Sequence, residues 1–173
     1  MLKEEVKHFI REATKNDAEH VLEFLDVVCS ETNFLTFGRG EFRMSEQEES
    51  DYLEKCRKAQ NCLYLLALND ERIIGALWFK SGDRPRTRHA GELGTAVLKE
   101  FWGYGIASAL IEYLLDWSRN SGLIHKINLR VRSDNLRAID LYTRSGFSME
   151  GLIKRDLYID GIYYDNLLMG LEI

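Results

Sequence analysis

Two glycines, Gly103 and Gly105, stand between a strand-like run and a long amphipathic segment. Apolar and smaller residues alternate over positions 93–97 as in a strand, and from Gly105 onward the apolar residues recur at helical spacing. Glycine permits a tight turn and a close backbone approach, and the free N–H groups at the start of a helix carry a partial positive charge. The sequence therefore predicts a backbone site for a phosphate group where the turn opens into the helix.

Two common phosphate-binding motifs do not fit this turn. A P-loop requires Lys followed by Ser or Thr after its glycines, whereas Ile106 and Ala107 stand there. A dinucleotide-binding turn requires a third glycine or alanine, where this chain has Ser108, and an acidic residue that ends the next strand. The nearest acidic residues, Glu112 and Asp116, lie inside the predicted helix instead. A nucleotide-binding oxidoreductase is therefore a disfavoured alternative.

A second helix with spaced functional residues follows the strand predicted at Lys126–Arg132. Ser133 or Asp134 is suited to cap this helix, which spans about residues 135–145, and Gly146 ends it. Asn135 stands at its start and Tyr142 lies on one of its faces. The order of elements is strand, glycine turn, helix, strand and helix, which is typical of an α/β fold.

Together these two segments resemble the Gcn5-related N-acetyltransferase (GNAT) superfamily. The run Trp102–Ala107 is similar to the acetyl-CoA loop of that family, with Gly105 and Ala107 matched. Trp102 replaces the usual Arg or Gln, as in the branch that includes ribosomal-protein N-terminal and spermidine acetyltransferases. The set Asn135, Ala138, Tyr142, Gly146 and Phe147 resembles the following family motif.

The resemblance spans nearly the whole chain and has implications for fold and activity. It implies one α/β domain over residues 1–173, with a mixed, mostly antiparallel sheet of about six to seven strands and about four helices. It also implies direct transfer of an acetyl group from acetyl-CoA to a primary amine, without a metal. The acceptor would be a small amine such as a polyamine, or a protein N-terminus. The residues expected at the acetyl-CoA site are Val97, Leu98, Trp102, Gly103, Tyr104, Gly105, Ile106, Ala107 and Asn135.

Two side chains are candidates for proton transfer. In the family, the tyrosine of the second helix points its hydroxyl at the CoA sulfur, so Tyr142 is expected to act as general acid; the alternative is a tyrosine that only packs between helices. Glu92 lies on the strand that would line the acetyl site, where burial beside the amine would suit a general base. The alternatives are an exposed strand carboxylate and a water relay. A non-catalytic acyl-CoA-binding module would need neither residue.

Composition limits the compartment and the partners. The chain has 173 residues and a net charge of −5, which argues against nucleic acid as a partner. No window approaches the roughly 20 apolar residues of a membrane span, and Met1–Glu5 contains no apolar signal segment. Its three cysteines form no Cys-x-x-Cys pair. We therefore expect a cytoplasmic protein with reduced thiols and no contact with membranes.

Three further features concern the acceptor and the assembly. The helix predicted over about residues 45–60 is acidic, which suits either attraction of a cationic amine or a solvated face. Phe34, Phe37 and Phe42 could wall an acceptor pocket or belong to the core. The closing hairpin is rich in Tyr, Ile and Leu, so a homodimer formed along its edge is an expectation.

Overall fold

The computed structural model describes residues 6–173, which form one seven-stranded sheet and four α-helices. The first five residues, over which the sequence predicts no apolar signal segment, lie outside the described residues, so that prediction is not tested. The strands are β1 (Phe9–Glu12), β2 (Cys62–Asn69), β3 (Arg72–Ser81), β4 (Ala90–Val97), β5 (Lys126–Arg132), β6 (Ser148–Ile159) and β7 (Ile162–Glu172). The helices are α1 (Ala18–Glu31), α2 (Glu46–Lys58), α3 (Ile106–Ser121) and α4 (Leu136–Arg144). The predicted α/β class with a mixed sheet is confirmed.

The sheet has a single parallel junction, between β4 and β5. The strand order is β1-β2-β3-β4-β5-β7-β6, and every other neighbouring pair is antiparallel. β4 and β5 pair only from Ala90 with Lys126 to Glu92 with Asn128. α3 connects these two strands, as a parallel crossover requires. Because the pairing stops at Glu92, the following halves of the two strands border a slot in the sheet.

Both faces of the sheet centre are buried by helices. Successive strand residues point to opposite faces, so Leu65 packs with α3 whereas Leu66 packs with α1 and α2. This double burial explains why β2 is almost continuously apolar rather than alternating. Both Leu65 and Leu66 are fully buried.

Local sequence signals set the helix ends. Ser45 caps α2, since its hydroxyl accepts from the Glu48 N–H at 3.3 Å while its own N–H donates to the Glu48 carboxylate at 2.8 Å. α3 begins after Gly105 and ends before Gly122, and these glycines have φ values of 79° and 60°. Left-handed φ values of this kind favour glycine, so the predicted start and stop of this helix are confirmed.

The prediction of three reduced thiols is wrong for two of them. Cys56 near the end of α2 and Cys62 at the start of β2 form a disulfide, and their Cα atoms are 5.0 Å apart. The chain turns directly from helix into strand between them, which brings the two side chains within disulfide range. Cys29 is free and buried. Nothing in the sequence predicts this disulfide, because a separation of six residues between Cys56 and Cys62 matches no recognised redox or metal motif.

The closing hairpin of β6 and β7 lies at one edge of the sheet, with β6 outermost. Tyr158, Ile162 and Tyr163 near its tip are exposed. Pairing of this edge with a second copy of the chain stays a prediction. Among the helices of residues 6–173, none has the length and apolar character needed to cross a bilayer.

Candidate active site

A cavity of about 940 Å³ opens at the slot between β4 and β5. Its walls come from the loop after α1, the β3 residues Trp78 and Lys80, the outer part of β4, the glycine turn with the start of α3, and α4. The β5 residues that follow the paired segment complete it. Two segments that the sequence marked independently, the turn before α3 and the helix that carries Tyr142, therefore meet at one cavity.

The glycine turn faces open space at the start of α3. Gly103 and Gly105 have φ values of 85° and 79°. A Cβ atom built on Gly105 would meet no other atom within 4 Å, so nothing in the protein fills the position beside the turn. Gly105 is the N-cap of α3 and supplies no capping side chain, which leaves first-turn N–H groups available at the cavity wall formed by Ile106 and Ala107. This cradle fits a phosphate group.

Trp102 ties the turn to the end of β4. Its indole Nε1 donates to the carbonyl oxygen of Val97 at 2.7 Å. The guanidinium of Arg137, on α4, lies 4.8 Å from the centre of the indole ring, within the range of a cation–π contact. All three residues line the cavity, so Trp102 connects both of its walls.

Two residues expected at the acetyl-CoA site do not line the cavity. Leu98 is buried, its N–H donates to the Ile74 carbonyl at 3.0 Å, and its carbonyl accepts from the Phe101 N–H at 2.9 Å. Tyr104 packs against the core on the α3 side. A contact between Leu98 and acetyl-CoA is therefore not supported, because its side chain is buried and both of its backbone groups are engaged within the protein, whereas Val97 lines the cavity.

Tyr142 and Asn135 reach the cavity from α4 and its N-terminus. The Tyr142 ring packs edge-on against Phe147, with 5.9 Å between the ring centres, and the side chain is buried. Burial raises the pKa of Tyr142 to about 12, so the phenol keeps its proton at neutral pH. The Asn135 side-chain oxygen accepts from the Ala138 N–H at 3.3 Å and caps α4. Asn135 therefore starts the helix and also lines the cavity.

Glu92 lines the cavity but is not buried. Its side chain is 54% exposed, and its carboxylate lies 3.5 Å from Nε of Arg130 on the neighbouring strand. Of the two alternatives for Glu92, its side chain matches the exposed strand carboxylate rather than the buried one. Its role as a base stays a prediction that rests on its place in the cavity.

Comparison with known proteins identifies the family. A sequence model described as the acetyltransferase (GNAT) family matches residues 7–147. This chain belongs to the GNAT family. The structure of a GNAT-family acetyltransferase from Streptococcus pneumoniae is 33% identical, with a TM-score of 0.94, and the match covers 96% of this chain and 100% of that one.

Curated relatives of this GNAT chain are similar over part of their length. The L-amino acid N-acetyltransferase AaaT of Escherichia coli (strain K12) is 32% identical over 106 residues, which is 61% of this chain and 65% of that protein. The spermidine N(1)-acetyltransferase of Vibrio cholerae is 36% identical over 76 residues, 44% of each chain. The matched segments therefore cover less than two thirds of both relatives.

Arg132 is a structural arginine of this GNAT site that the sequence did not single out. Its side chain is 4% exposed, and its Nε and Nη2 atoms donate to the Asp134 carboxylate at 2.9 and 2.6 Å. Nη1 donates to the Asn33 carbonyl at 2.9 Å, and the guanidinium lies between the rings of Phe34 and Tyr164, 4.6 and 3.7 Å from their centres. The guanidinium also holds the pKa of Asp134 below its usual value. Arg132 thereby fixes the loop after α1 against β5.

Of the two sequence features linked to the acceptor, the phenylalanines of the loop after α1 lie at the cavity and the acidic helix α2 does not. Phe34 and Phe37 line the cavity, while Phe42 packs against Phe37 with 5.1 Å between ring centres. None of the α2 carboxylates lines the cavity, and Glu49, the buried one, points into the protein. The acidic helix therefore gives no support to a cationic acceptor. Within residues 6–173, no three His, Cys, Asp or Glu side chains are grouped to bind a metal.

Proposed function

We propose that this protein is an acetyl-CoA-dependent N-acetyltransferase that acts on a primary amine. The observation that carries the proposal is the single cavity shared by the glycine turn at the start of α3 and the buried phenol of Tyr142. The turn suits a phosphate, and the phenol suits a leaving group at the other end of the same ligand. Membership of the GNAT family supports this reading.

Each part of the cavity has a distinct task in binding acetyl-CoA. The N–H groups of the turn and of the first turn of α3 would hold the pyrophosphate. The guanidinium of Arg137 on α4 would add positive charge to the same region. Val97, whose carbonyl is held by Trp102, and Asn135 lie on the two walls where the pantetheine arm would run.

The reaction moves one acetyl group and transfers two protons. Bound acetyl-CoA supplies the acetyl group as a thioester: the amine nitrogen forms a bond to the carbonyl carbon, and the bond from that carbon to sulfur breaks. The amine gives up a proton to Glu92 or to water, and the thiolate takes one from Tyr142 or from solvent. Because Tyr142 has a pKa of about 12, it stays protonated until the thiolate forms, and solvent restores any proton that it gives.

The acceptor is a primary amine of a small molecule or of a protein N-terminus. Two of the relatives described above act on different small amines. The Escherichia coli relative is an L-amino acid N-acetyltransferase, and the Vibrio cholerae relative is a spermidine N(1)-acetyltransferase. Phe34 and Phe37 line the cavity and could contact an apolar group on either kind of acceptor.

Thermal unfolding with and without acetyl-CoA tests the proposal, with NADH and ATP as controls. A ligand at 100 times its Kd that binds only the folded state stabilises it by about 2.7 kcal/mol, a clear rise in Tm. We expect that rise with acetyl-CoA alone, followed by release of free thiol when amines are added. Binding without any transfer would favour the acyl-CoA-binding module. Stabilisation by NADH but not acetyl-CoA would overturn the assignment.

A further inference from the structure

Two arginines on the same face of β5 differ in how fully they are bonded. Arg132 donates four hydrogen bonds of 2.6 to 3.1 Å, to Asp134 and Asn33. Arg130, two residues earlier, makes two long ion pairs, at 3.5 Å to Glu92 and 3.8 Å to Asp156, and its side chain makes no hydrogen bond within residues 6–173. Charge-assisted hydrogen bonds are normally about 2.7 to 2.9 Å. The Arg130 fork therefore retains donors that a ligand can use.

Arg130 is placed where an acceptor would meet it. Its side chain is 46% exposed and lines the cavity. Asp156, its partner on β6, already accepts from the Asn166 amide at 2.8 Å, which holds that carboxylate in place. The guanidinium is thus oriented by the sheet beside it, while a face of it stays open to solvent. A planar fork of this kind matches a carboxylate in a bidentate way.

The charges on this side of the cavity match a zwitterion better than a polyamine. Glu92 is the register partner of Lys80 on β3 and the ion-pair partner of Arg130. Lys80 already donates to Asp83 at 2.7 Å, whereas Arg130 keeps open donors. A polyamine has no anionic group for those donors. An amino acid instead presents a cation to Glu92 and an anion to Arg130.

The walls next to this charged group are aromatic. Trp78 lies two residues before Lys80 on β3, and its indole covers Gly94, so that a Cβ atom there would overlap the ring. Phe34, which stacks on the Arg132 guanidinium, also lines the cavity. An acceptor with an apolar side chain could contact both rings.

We propose that the acceptor is a free α-amino acid with an apolar side chain, and that Arg130 binds its carboxylate. This inference rests on the proposed acetyltransferase function and names its substrate class. Glu92 faces the amine end of the same molecule, while Trp78 and Phe34 contact its side chain. A peptide N-terminus lacks a carboxylate beside its amine, so it would leave Arg130 without a partner.

The test compares acceptors that differ only in the carboxylate. Transfer from acetyl-CoA is followed by thiol release with L-phenylalanine, L-methionine, their carboxamides, spermidine and a short peptide with a free N-terminus. We expect kcat/KM for the free acids to exceed that for the amides. In Arg130→Gln this preference should fall about 10- to 100-fold through the KM of the acid, as for loss of a charged hydrogen bond. An amino acid and its carboxamide differ in the pKa of the amine, but this difference is the same for the wild type and the variant. The change in the acid-to-amide ratio of kcat/KM between the two proteins therefore reports the carboxylate contact.

Two variants serve as controls. Arg130→Lys keeps the charge and loses the fork, so it should recover only part of the preference. Arg119→Gln removes a surface arginine on α3 that pairs with Asp116 outside the cavity, and it should leave the preference unchanged. The Tm rise with acetyl-CoA reports whether each variant is folded and retains the cofactor site.

The outcomes separate this inference from the proposed function. Amides, spermidine or the peptide acetylated as well as the free acids by the wild-type protein would overturn the inference and leave the acetyltransferase standing. An equal loss with acids and amides in Arg130→Gln would overturn it as well, since a carboxylate contact cannot explain an equal loss. Absence of both a Tm shift with acetyl-CoA and transfer to any amine would instead overturn the proposed function.

Discussion

The indole nitrogen of Trp102 donates a 2.7 Å hydrogen bond to the carbonyl oxygen of Val97. Val97 is the last residue of β4, and Trp102 precedes the glycine turn that opens α3. The bond therefore sets the distance between the strand that borders the slot and the turn that suits a phosphate. Where the GNAT loop usually has Arg or Gln, this chain has a side chain that braces its own backbone.

Replacement of Trp102 by Phe should raise the KM for acetyl-CoA about 2- to 10-fold, the effect of one net hydrogen bond. The change keeps an aromatic ring near Arg137 while it removes the N–H donor and part of the indole ring system. Steady-state kinetics with varied acetyl-CoA checks it. Trp117→Phe is the control, since Trp117 packs against Phe79 outside the cavity. An unchanged KM in Trp102→Phe would mean that the hydrogen bond from Trp102 to Val97 has no part in binding acetyl-CoA.

The two glycines at the ends of α3 allow a matched test of the phosphate site. Gly105 and Gly122 both have left-handed φ values, and a Cβ atom on either would meet nothing within 4 Å. Gly105→Ala and Gly122→Ala should therefore each destabilise the fold by about 1–2 kcal/mol. Only the Gly105 change places a methyl group in the cavity, so only it should weaken acetyl-CoA binding, by about tenfold or more, equivalent to ~1.4 kcal/mol. Calorimetric titration of acetyl-CoA measures this, and equal affinities in the two variants would contradict the site.

Tyr142→Phe should lower turnover about 100-fold while leaving the Kd of acetyl-CoA unchanged. The hydroxyl is the only group removed, and the ring keeps its packing against Phe147. Since the pKa of Tyr142 is about 12, its ionisation should produce no fall in wild-type turnover up to about pH 10. Tyr158→Phe, on the exposed hairpin, is the control. Full turnover in Tyr142→Phe would show that solvent alone protonates the thiolate.

The pH profile of Glu92→Gln tests the proposed base. If Glu92 accepts the amine proton, its protonation produces the acidic limb of the rate–pH curve, and the variant should flatten that limb. Glu112→Gln, on the outward face of α3, should leave the curve unaltered. A Glu92→Gln curve that matches the wild type would assign proton removal to water.

Those parts of the fold and site that depend on neighbours in sequence were predictable. The glycine turn, the start and end of α3 and the Ser45 cap follow from local patterns, and each is present as expected. Contacts between distant segments were not predictable. Arg132 meets Asn33 across 99 positions, and no periodicity announces that pairing. The alternation of side chains along β5 did predict that Arg130 and Arg132 lie on the same, non-apolar face of the strand. That this face borders the cavity is shown only by the fold.

Glu49 gives the last prediction, which concerns stability. Its side chain is 1% exposed, and its Oε1 has no hydrogen-bond partner among the described residues. Burial raises its pKa from 4.5 to about 7. Burial, and after it the nearby Glu49 charge, also raises the pKa of Tyr52 and Tyr64. The folded pKa of Glu49 lies above the unfolded one, so stability is full below about pH 4.5 and is lost as the pH rises through 7.

Glu49→Gln should therefore stabilise the protein at pH 8 by about 1–3 kcal/mol and have little effect at pH 5. Urea unfolding at both pH values measures the difference. Glu46→Gln, an exposed residue one turn earlier on the same helix, should not reproduce it. Tyr52 and Tyr64 ionise far above this range, so they do not contribute to the change between pH 5 and 8. Equal stabilisation by Glu49→Gln at the two pH values would mean that the carboxyl of Glu49 does not change its protonation in this range, and that the amide gains stability by another contact.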